Sequence, residues 1–329
     1  MEFRTREGVA KAINGVSLDL REGETLAILG ESGSGKSVTA QAIMGILDTP
    51  PGYVTGGSIR YCGKDLLAMK EKERRSVRGP QISMIFQDAL SSLNPVFPVG
   101  WQIAEMFRQH RGMNKADAKE QAVRLMERVA IPAARQRVNA FPHQFSGGMR
   151  QRIMIAMAIA LDPAVLIADE PTTALDVTVQ AQIMQLLADL QEERQMGLIL
   201  ITHDLGVVAD VADRIAVMYA GRIVERADVE DVYRQPAHPY TKALLDSIPR
   251  IDQKGQELDA IGGLPPNLMH IPDGCPFNPR CTYVIDECRV GAPPALTSVG
   301  VRRSAACLRS DEVLAGEDPT VSDDREELQ

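Results

Sequence analysis

The segment Gly30-Glu31-Ser32-Gly33-Ser34-Gly35-Lys36-Ser37 decides the fold of this chain of 329 residues. It follows the apolar run Thr25–Leu29 and precedes a helical pattern from Lys36 to Ile46, which is the context a phosphate-binding loop (P-loop) requires. Its glycines let backbone N–H groups turn towards phosphate oxygens, and the helix adds its positive N-terminal end. This context favours a P-loop over a chance glycine-rich turn. The nucleotide-binding residues predicted here are Gly30, Ser32, Gly33, Ser34, Gly35, Lys36, Ser37 and Val38.

Within the P-loop, two side chains have specific predicted tasks. Lys36 is expected to hold the β- and γ-phosphates of ATP, and the hydroxyl of Ser37 is expected to bind Mg²⁺.

A second apolar run, Ala164–Ala168, ends in the carboxylates of Asp169 and Glu170. Burying a carboxylate is costly unless it serves a cation, so we expect Asp169 to bind Mg²⁺ through water. Glu170 is the expected general base that polarises the attacking water. In isolation the pattern would also fit a strand that simply ends at a loop, but beside a P-loop it favours a catalytic site.

Composition excludes several classes of function. The net charge is -8 and the charges are of mixed sign along the helices, without the basic stripe that follows a phosphate backbone, so nucleic acid is not an expected partner. The apolar stretches are shorter than the roughly 20 residues that a membrane span needs. No secretory leader opens the chain, which predicts a cytosolic protein that reaches a membrane only through partners.

The order of patterns along the chain predicts an α/β fold. Short alternating runs between Val9 and Leu29, among them Ala12-Ile13 and Val16–Leu18, predict antiparallel strands before the buried strand that delivers the P-loop. Strands Val165–Ala168 and Leu198–Ile201 each follow a helix, as in an open parallel sheet. Ligands of such sheets bind at the carboxyl ends of the strands, where the polar motifs fall.

Changes in texture predict three parts of the chain. Residues 1–250 form a nucleotide-binding domain with a helical insert at about residues 88–145. Residues 251–310 form a small, proline-rich and loop-rich extension, and residues 311–329 form an acidic tail that we expect to be disordered.

Over about residues 3 to 245 the order of motifs resembles the nucleotide-binding subunits of ABC transporters. This resemblance implies a P-loop ABC ATPase domain with a mixed sheet core, an antiparallel β subdomain and a helical subdomain. The motifs that carry it are the P-loop, Phe86-Gln87-Asp88, Phe145-Ser146-Gly147-Gly148-Met149-Arg150-Gln151, Asp169-Glu170, Thr173-Ala174-Leu175-Asp176 and Thr202-His203-Asp204. Met149 replaces the glutamine that is commonest at its place in the superfamily.

The resemblance implies roles for the remaining motif residues. Gln87 would sense the γ-phosphate through Mg²⁺ or the water, and His203 would hydrogen-bond the γ-phosphate and position Glu170. Ser146, Gly147 and Gly148 would contact a nucleotide held by the other subunit, so that two nucleotides lie between two domains. Asp176 would communicate across this dimer, although it would also serve as a helix cap.

The family supplies an aromatic side chain for adenine upstream of the P-loop, and Phe3 is the aromatic residue available there. The family usually has another strand before this point, so either that strand is absent or the chain start was placed late.

Four of the five cysteines lie within 33 residues, at Cys275, Cys281, Cys288 and Cys307. In a cytosolic protein such a cluster favours a metal over disulfides, and the spacing is not that of a zinc finger. Residues 236–245 and 274–281 resemble the C-terminal extension of oligopeptide and dipeptide importer ATPases, some of which carry a [4Fe–4S] cluster there. A [4Fe–4S] cluster is the expected group, with zinc or no metal as the alternatives.

These observations predict the ATP-hydrolysing subunit of an ABC importer of di- and oligopeptides, peripheral on the cytoplasmic face of the inner membrane. The resemblance implies two multispanning permease subunits, a second ATPase that is related but different, and an extracellular or periplasmic substrate-binding protein. Residues 92–105 of the helical insert would receive the permease.

Three alternatives stay open. One is the ATPase of an importer for nickel, glutathione or another small solute, and the second is a soluble ABC ATPase that acts on nucleic acid or ribosomes. The third is an iron–sulfur regulatory protein whose ATPase has lapsed, against which the presence of Glu170 argues.

Overall fold

The structure of the chain is a computed structural model that describes residues 1–173, 175–247 and 261–317. The predicted domain boundary at residue 250 and the tail from residue 318 onward lie outside the described residues.

The strands of the described residues are β1 (Glu2–Arg4), β2 (Val9–Ala10), β3 (Thr25–Leu29), β4 (Gly52–Tyr53), β5 (Arg60–Tyr61), β6 (Lys64–Asp65), β7 (Ile82–Ile85), β8 (Val165–Asp169), β9 (Gly197–Ile201), β10 (Arg214–Tyr219), β11 (Arg222–Asp228), β12 (Thr297–Gly300) and β13 (Arg303–Ala305). The helices are α1 (Lys36–Met44), α2 (Glu71–Val77), α3 (Ala89–Ser92), α4 (Val99–Arg111), α5 (Lys115–Arg128), α6 (Ala134–Arg137), α7 (Gly147–Ile159), α8 (Val177–Arg194), α9 (Leu205–Val211), α10 (Val229–Arg234), α11 (Pro239–Asp246) and α12 (Ser310–Ala315). Short 3₁₀ turns cover Pro142–Gln144, Asn278–Arg280 and Asp286–Arg289.

The central sheet has eight strands in the order β12-β13-β11-β10-β3-β9-β8-β7. Strands β10, β3, β9, β8 and β7 are parallel to one another, and the β10–β11, β11–β13 and β13–β12 pairs are antiparallel. The α/β prediction is therefore confirmed. Because the parallel strands share one direction, the residues that follow β3, β7, β8 and β9 meet at one edge of the sheet.

Strand β3 is buried on both faces, which explains its unbroken apolar sequence. Leu26 and Ile28 pack with α1 in one core, whereas Ala27 and Leu29 pack in another core with α9 and with part of residues 261–317, the C-terminal segment. The P-loop thus leaves a strand that is held from both sides.

The antiparallel part differs from the sequence prediction. Strand β1 pairs with β2 and with β4 in a separate sheet, and Phe3 lies opposite Ala10 and Gly52. No strand is assigned at Ala12-Ile13, where the sequence predicted one, and the strand predicted at Val16–Leu18 is likewise wrong. The apolar side chains of that segment do pack against the core on alternate positions, so the pattern reported burial correctly but not pairing.

Helices α3, α4, α5 and α6 lie between β7 and α7, in the part of the chain where the sequence predicts a helical insert. Helix α5 begins where Asn114 accepts hydrogen bonds from the N–H groups of Ala116 and Asp117, each at 3.0 Å. Its apolar side chains face a core formed with α4 and α7. The predicted strands at β8 and β9 and the helix after the P-loop are likewise observed.

The C-terminal segment is more closely joined to the nucleotide-binding domain than the prediction of a separate loop-rich extension suggested. Its strand β13 pairs with β11, so β12 and β13 extend the central sheet. The acidic tail predicted from Asp311 begins instead with α12, because Val313 is buried and fixes that turn of chain. None of the helices among the described residues is long and apolar enough to cross a bilayer.

Candidate active site

The P-loop makes a turn that only glycine tolerates at two of its positions. Gly30 has φ 148°, and a Cβ there would lie 2.3 Å from the carbonyl oxygen of Met218. Gly35 has φ 106°, and its added Cβ would lie 2.5 Å from the carbonyl oxygen of Ala12. The spacing of glycines therefore follows from the backbone that surrounds the loop.

Lys36 is a buried cation aimed across the mouth of the loop. Its Nζ donates to the carbonyl oxygens of Gly30, at 2.6 Å, and Glu31, at 3.0 Å. Burial lowers the pKa of Lys36, an effect that the nearby carboxylates of Glu170, Asp169 and Glu31 oppose. A phosphate group would offer this ammonium group the charged partner that the carbonyl oxygens do not provide.

The start of α1 is suited to an anion. Its N-cap is Gly35, so no side chain caps the N–H groups of the first turn. The buried Oγ of Ser34 has no hydrogen-bond partner among the described residues. The loop therefore presents unsatisfied donors and a helix N-terminus to the position where phosphates would bind.

Ser37 and Asp169 come together beside the P-loop. The Oγ of Ser37 donates to the Oδ1 of Asp169 at 3.0 Å, and Asp169 is buried. Burial raises the pKa of Asp169, the hydrogen bond from Ser37 lowers it, and the charge of Glu170 raises it. A hydroxyl and a carboxylate at this separation are oxygen ligands of the kind that Mg²⁺ prefers, so the residues present fit that ion.

Glu170 leaves β8 with a left-handed backbone, φ 45°, which is strained for a residue with a side chain. This turn directs its carboxylate towards three polar side chains. Its Oε2 accepts hydrogen bonds from Gln87 Nε2 and Thr173 Oγ1, both at 2.9 Å. The Nδ1 of His203 lies 3.6 Å from Oε1, too far for a hydrogen bond but within reach of a small movement.

The predicted residues thus form two groups. The structure brings Lys36, Ser37, Gln87, Asp169, Glu170 and His203 to one edge of the sheet. The segment Ser146–Gly148 begins α7 and packs against the start of α8, where a Cβ on Gly148 would lie 2.7 Å from Val179. Asp176 caps α8 by accepting from the N–H of Val179 at 3.0 Å, as the cap interpretation predicted.

Phe3 is placed in β1 of the small antiparallel sheet, half-buried. The N-terminal amino group near it donates to the carbonyl oxygen of Ile13 at 2.7 Å. These contacts hold β1 in place but do not test the stacking role of Phe3.

The four clustered cysteines line one small cavity together with His238 and Phe277. None of the four forms a disulfide, and the N–H of Cys275 donates to the carbonyl oxygen of Cys288 at 2.8 Å. Burial raises the pKa of Cys281 to about 12 and that of Cys307 to about 11. Within the described residues, however, no three Cys, His, Asp or Glu side chains are close enough together to hold a metal ion as placed.

The sequence did not predict the contact of Thr173 with Glu170 or that of Arg280 with Glu31. Thr173 follows Glu170 by three positions, a spacing that would have placed its hydroxyl near the carboxylate across a turn. Glu31 is bound by Arg280, which lies 249 residues away and carries no local signal of that contact.

Comparison with known proteins agrees with this geometry. The family described as "ABC transporter" matches residues 13–173, and the family described as "Oligopeptide/dipeptide transporter, C-terminal region" matches residues 224–288. A solved dimeric structure of the ATP-binding cassette MJ0796, in a post-hydrolysis state bound to ADP and Pi, is 29% identical. It covers 69% of this chain and 95% of that chain, with a TM-score of 0.62. The fold is that of an ABC ATPase.

Individual relatives narrow the family. The oligopeptide transport ATP-binding protein OppD of Salmonella typhimurium is 52% identical over 312 residues, which are 95% of this chain and 92% of that protein. OppD of Bacillus subtilis is 55% identical over 87% of this chain and 80% of its own length. The dipeptide transport ATP-binding protein DppD of Bacillus subtilis is 53% identical over 85% of this chain and 84% of its own. The chain belongs to the ATP-binding subunits of the oligopeptide/dipeptide ABC transporters.

Proposed function

We propose that this chain hydrolyses ATP to energise the import of di- and oligopeptides through a pair of membrane-spanning permeases. The observation that carries the proposal is the convergence of Lys36, Ser37, Asp169 and Glu170 at one edge of the sheet. The names of the relatives, which are oligopeptide and dipeptide transport ATP-binding proteins, support the peptide substrate.

Binding would begin at the P-loop. Lys36 would exchange the carbonyl oxygens of Gly30 and Glu31 for the β- and γ-phosphates, while N–H groups at the start of α1 donate to phosphate oxygens. Ser37, Asp169 and Gln87 would hold Mg²⁺, with Asp169 acting through water. When bound, Mg²⁺ would neutralise charge on the phosphate oxygens while the γ-phosphoryl group is transferred to water.

Glu170 would act as the general base. Hydrogen bonds from Gln87 and Thr173 to Oε2 fix one carboxylate oxygen and leave Oε1 directed towards His203. This free oxygen can orient the attacking water and accept its proton. His203, whose side chain is 65% exposed, would complete the site by moving towards the γ-phosphate when the two domains close.

The second group of residues would act on a nucleotide held by another ATPase subunit. Ser146, Gly147 and Gly148 stand at the N-terminus of the thirteen-residue helix α7, where exposed N–H groups and the helix dipole favour a phosphate. Asp176 caps the neighbouring helix and would relay closure between the subunits. Phe3 would stack on adenine. The partner ATPase is proposed to be related but different.

An apolar surface on the helical insert would receive the permeases. Val96 is 69% exposed and Phe97 is 38% exposed, and Phe97 stacks on Trp101 at 4.3 Å between ring centroids. The buried Gln102 holds this loop by donating to the carbonyl oxygens of Asn94 and Phe97, each at 2.9 Å. We place this surface against the cytoplasmic side of the membrane, with a substrate-binding protein on the opposite side.

We also propose that Cys275, Cys281, Cys288 and Cys307 bind a [4Fe–4S] cluster. The thiols share one cavity, and the Sγ of Cys307 accepts the N–H of Arg309 at 3.3 Å, a contact that favours a thiolate. The donors fit the group in kind and number, although the side chains would have to draw together around it. The raised pKa values imply that ligation displaces protons from neutral thiols.

Anaerobic purification tests the cluster. Stoichiometric iron and sulfide in the purified chain would support it. Cys281→Ser should lose both, whereas the control Cys62→Ser, at an exposed and distant cysteine, should keep them. Zinc in place of iron, or a folded chain without metal, would overturn it.

Gentle solubilisation of membranes that contain the tagged chain tests the transport function. We expect mass spectrometry to identify two multispanning proteins that co-purify with the chain. A receptor that co-purifies with them is expected to bind peptides. A co-purified receptor specific for nickel or glutathione would show that the transporter imports that solute instead of peptides. Recovery of the chain only with ribosomes or nucleic acid would contradict the transport function.

A further inference from the structure

Arg280 of the C-terminal segment grips the P-loop. Its Nη1 donates to Glu31 Oε2 at 2.7 Å and its Nη2 donates to Oε1 at 2.9 Å, a two-pronged charged contact. The side chain of Arg280 is 4% exposed and that of Glu31 is 25% exposed. Glu31 directly follows Gly30 in the P-loop, so the pair links the cysteine-bearing segment to the phosphate site.

Glu31 is held at two further points. Its backbone N–H donates to the hydroxyl of Tyr240 at 2.8 Å, and its carbonyl oxygen accepts from Lys36 at 3.0 Å. Tyr240 is fully buried at the start of α11. The first residues of the P-loop are therefore positioned by groups from the C-terminal third of the chain.

Arg280 is itself immobilised, so it can transmit position. Its Nε donates to the carbonyl oxygen of Gly262 at 2.8 Å and Nη1 donates to the hydroxyl of Tyr219 at 3.3 Å. Its guanidinium group lies 5.9 Å from the ring centroids of both Tyr219 and Phe277. An arginine held by this many contacts keeps a fixed position, unlike a mobile surface charge.

We infer that Arg280 is a positioning residue for the nucleotide site, which neutralises Glu31 and holds the entrance of the P-loop in the shape that receives the triphosphate. This inference rests on the proposed binding of ATP by the P-loop. It makes ATP affinity depend on the fold of the C-terminal segment. Cys281, which lines the cysteine cavity, directly follows Arg280 in sequence. A change in the conformation of that cavity would therefore be passed to the P-loop through Arg280.

Removing Arg280 has two physical consequences for ATP. Glu31 would become an unpaired carboxylate beside the site of the phosphates and would repel them. The side chain of Glu31 would also lose its attachment to Arg280, so the entrance of the P-loop would be held less firmly. Both effects act on binding, whereas Glu170 and its partners stay in place.

The test compares full-length chains purified with whatever subunits remain bound. For Arg280→Ala we expect KM for ATP and the Kd of ATP to rise about tenfold, with kcat within about twofold, because a charge-assisted contact to the loop is lost. Arg280→Lys keeps the charge but loses the paired geometry, so an intermediate rise is expected. The double variant Arg280→Ala/Glu31→Gln should recover part of the affinity, since no unpaired carboxylate remains.

Arg302→Ala is the matched control. Arg302 also belongs to the C-terminal segment and pairs with Asp228 at 3.1 Å, but it does not touch the P-loop. Arg302→Ala should leave the KM for ATP unchanged, even if Arg302→Ala and Arg280→Ala both lower the melting temperature. If Arg280→Ala and Arg280→Lys give the KM of Arg302→Ala, the inference is wrong.

A further variant separates this inference from the proposed function. Glu170→Gln, with Arg280 intact, should bind ATP and fail to hydrolyse it. Normal hydrolysis by Glu170→Gln would overturn the proposed catalytic site, whatever the Arg280 variants show.

Discussion

Ser37 and Asp169 are hydrogen bonded through Oγ and Oδ1 at 3.0 Å, although 132 residues separate them. Ser37 stands in the first turn of α1, behind β3, and Asp169 ends β8. Strand β9 lies between β3 and β8, and all three are parallel. The topology therefore assembles the proposed Mg²⁺ ligands at the carboxyl edge of the sheet.

The magnesium requirement follows from this pair. Ser37→Ala is expected to raise the Mg²⁺ concentration for half-maximal ATP hydrolysis about tenfold, because one oxygen ligand is lost. A magnesium titration of ATPase activity measures it. Gln41→Ala, on the same helix, should behave as the unchanged chain, and an identical titration curve for Ser37→Ala would show that its hydroxyl does not serve the ion.

Two P-loop glycines should differ in their tolerance of alanine. An added methyl at Gly33 meets no described atom within 4 Å and is opposed only by φ 80°, whereas at Gly35 it also meets a carbonyl oxygen at 2.5 Å. Gly33→Ala should cost about 1–2 kcal/mol of unfolding free energy, and Gly35→Ala more. Urea unfolding compares them, with Gly56→Ala in open space as the control. Equal losses at both P-loop positions would contradict the described close approach.

The join between the C-terminal segment and the sheet should depend on Arg303. Its Nη2 donates to the fully buried Glu225 at 3.1 Å, and Glu225 also accepts from the N–H groups of Ala237 and His238. Arg303→Ala leaves a buried carboxylate without its cation, which costs about 3–5 kcal/mol. Chemical denaturation measures the loss.

Arg302→Ala serves as the control for that experiment, because its ion pair with Asp228 is half-exposed and contributes little. A loss for Arg303→Ala no larger than that for Arg302→Ala would mean that Glu225 takes up a proton instead.

Coupling to the permeases should depend on the exposed apolar loop. Val96→Asp places a charge on a side chain that is 69% exposed, so folding and ATP affinity should not change. Transport and permease-stimulated hydrolysis should fall about tenfold or more if this side chain enters an interface. Val301→Asp, at an 87% exposed position in the C-terminal segment, is the control. Unimpaired transport in Val96→Asp would place the permease contact elsewhere.

The sequence was sufficient to predict which edge of the sheet carries the polar motifs. Apolar strands followed at once by polar motifs predict where Lys36, Asp169 and Glu170 lie, because parallel strands end at one edge. The hydrogen bond from Gln87 to Glu170 agrees with that placement.

Contacts that depend on packing between distant segments could not be predicted in this way. Val16–Leu18 has the alternation of a strand, but a ladder needs a neighbouring strand in register, which one segment cannot reveal. The pairing of β13 with β11 and the grip of Arg280 on Glu31 likewise depend on how the C-terminal segment folds back. Neither leaves a periodic signal in the sequence.

ATP binding and hydrolysis by Glu170→Gln test the role of Glu170 most directly, because the substitution keeps the shape of the side chain and its partners but removes the base. We expect unchanged ATP affinity and a turnover lower by about 10²–10⁴-fold. Turnover equal to that of the unchanged chain, with ATP bound normally, would show that another group activates the water and would contradict the assignment of Glu170 as the base.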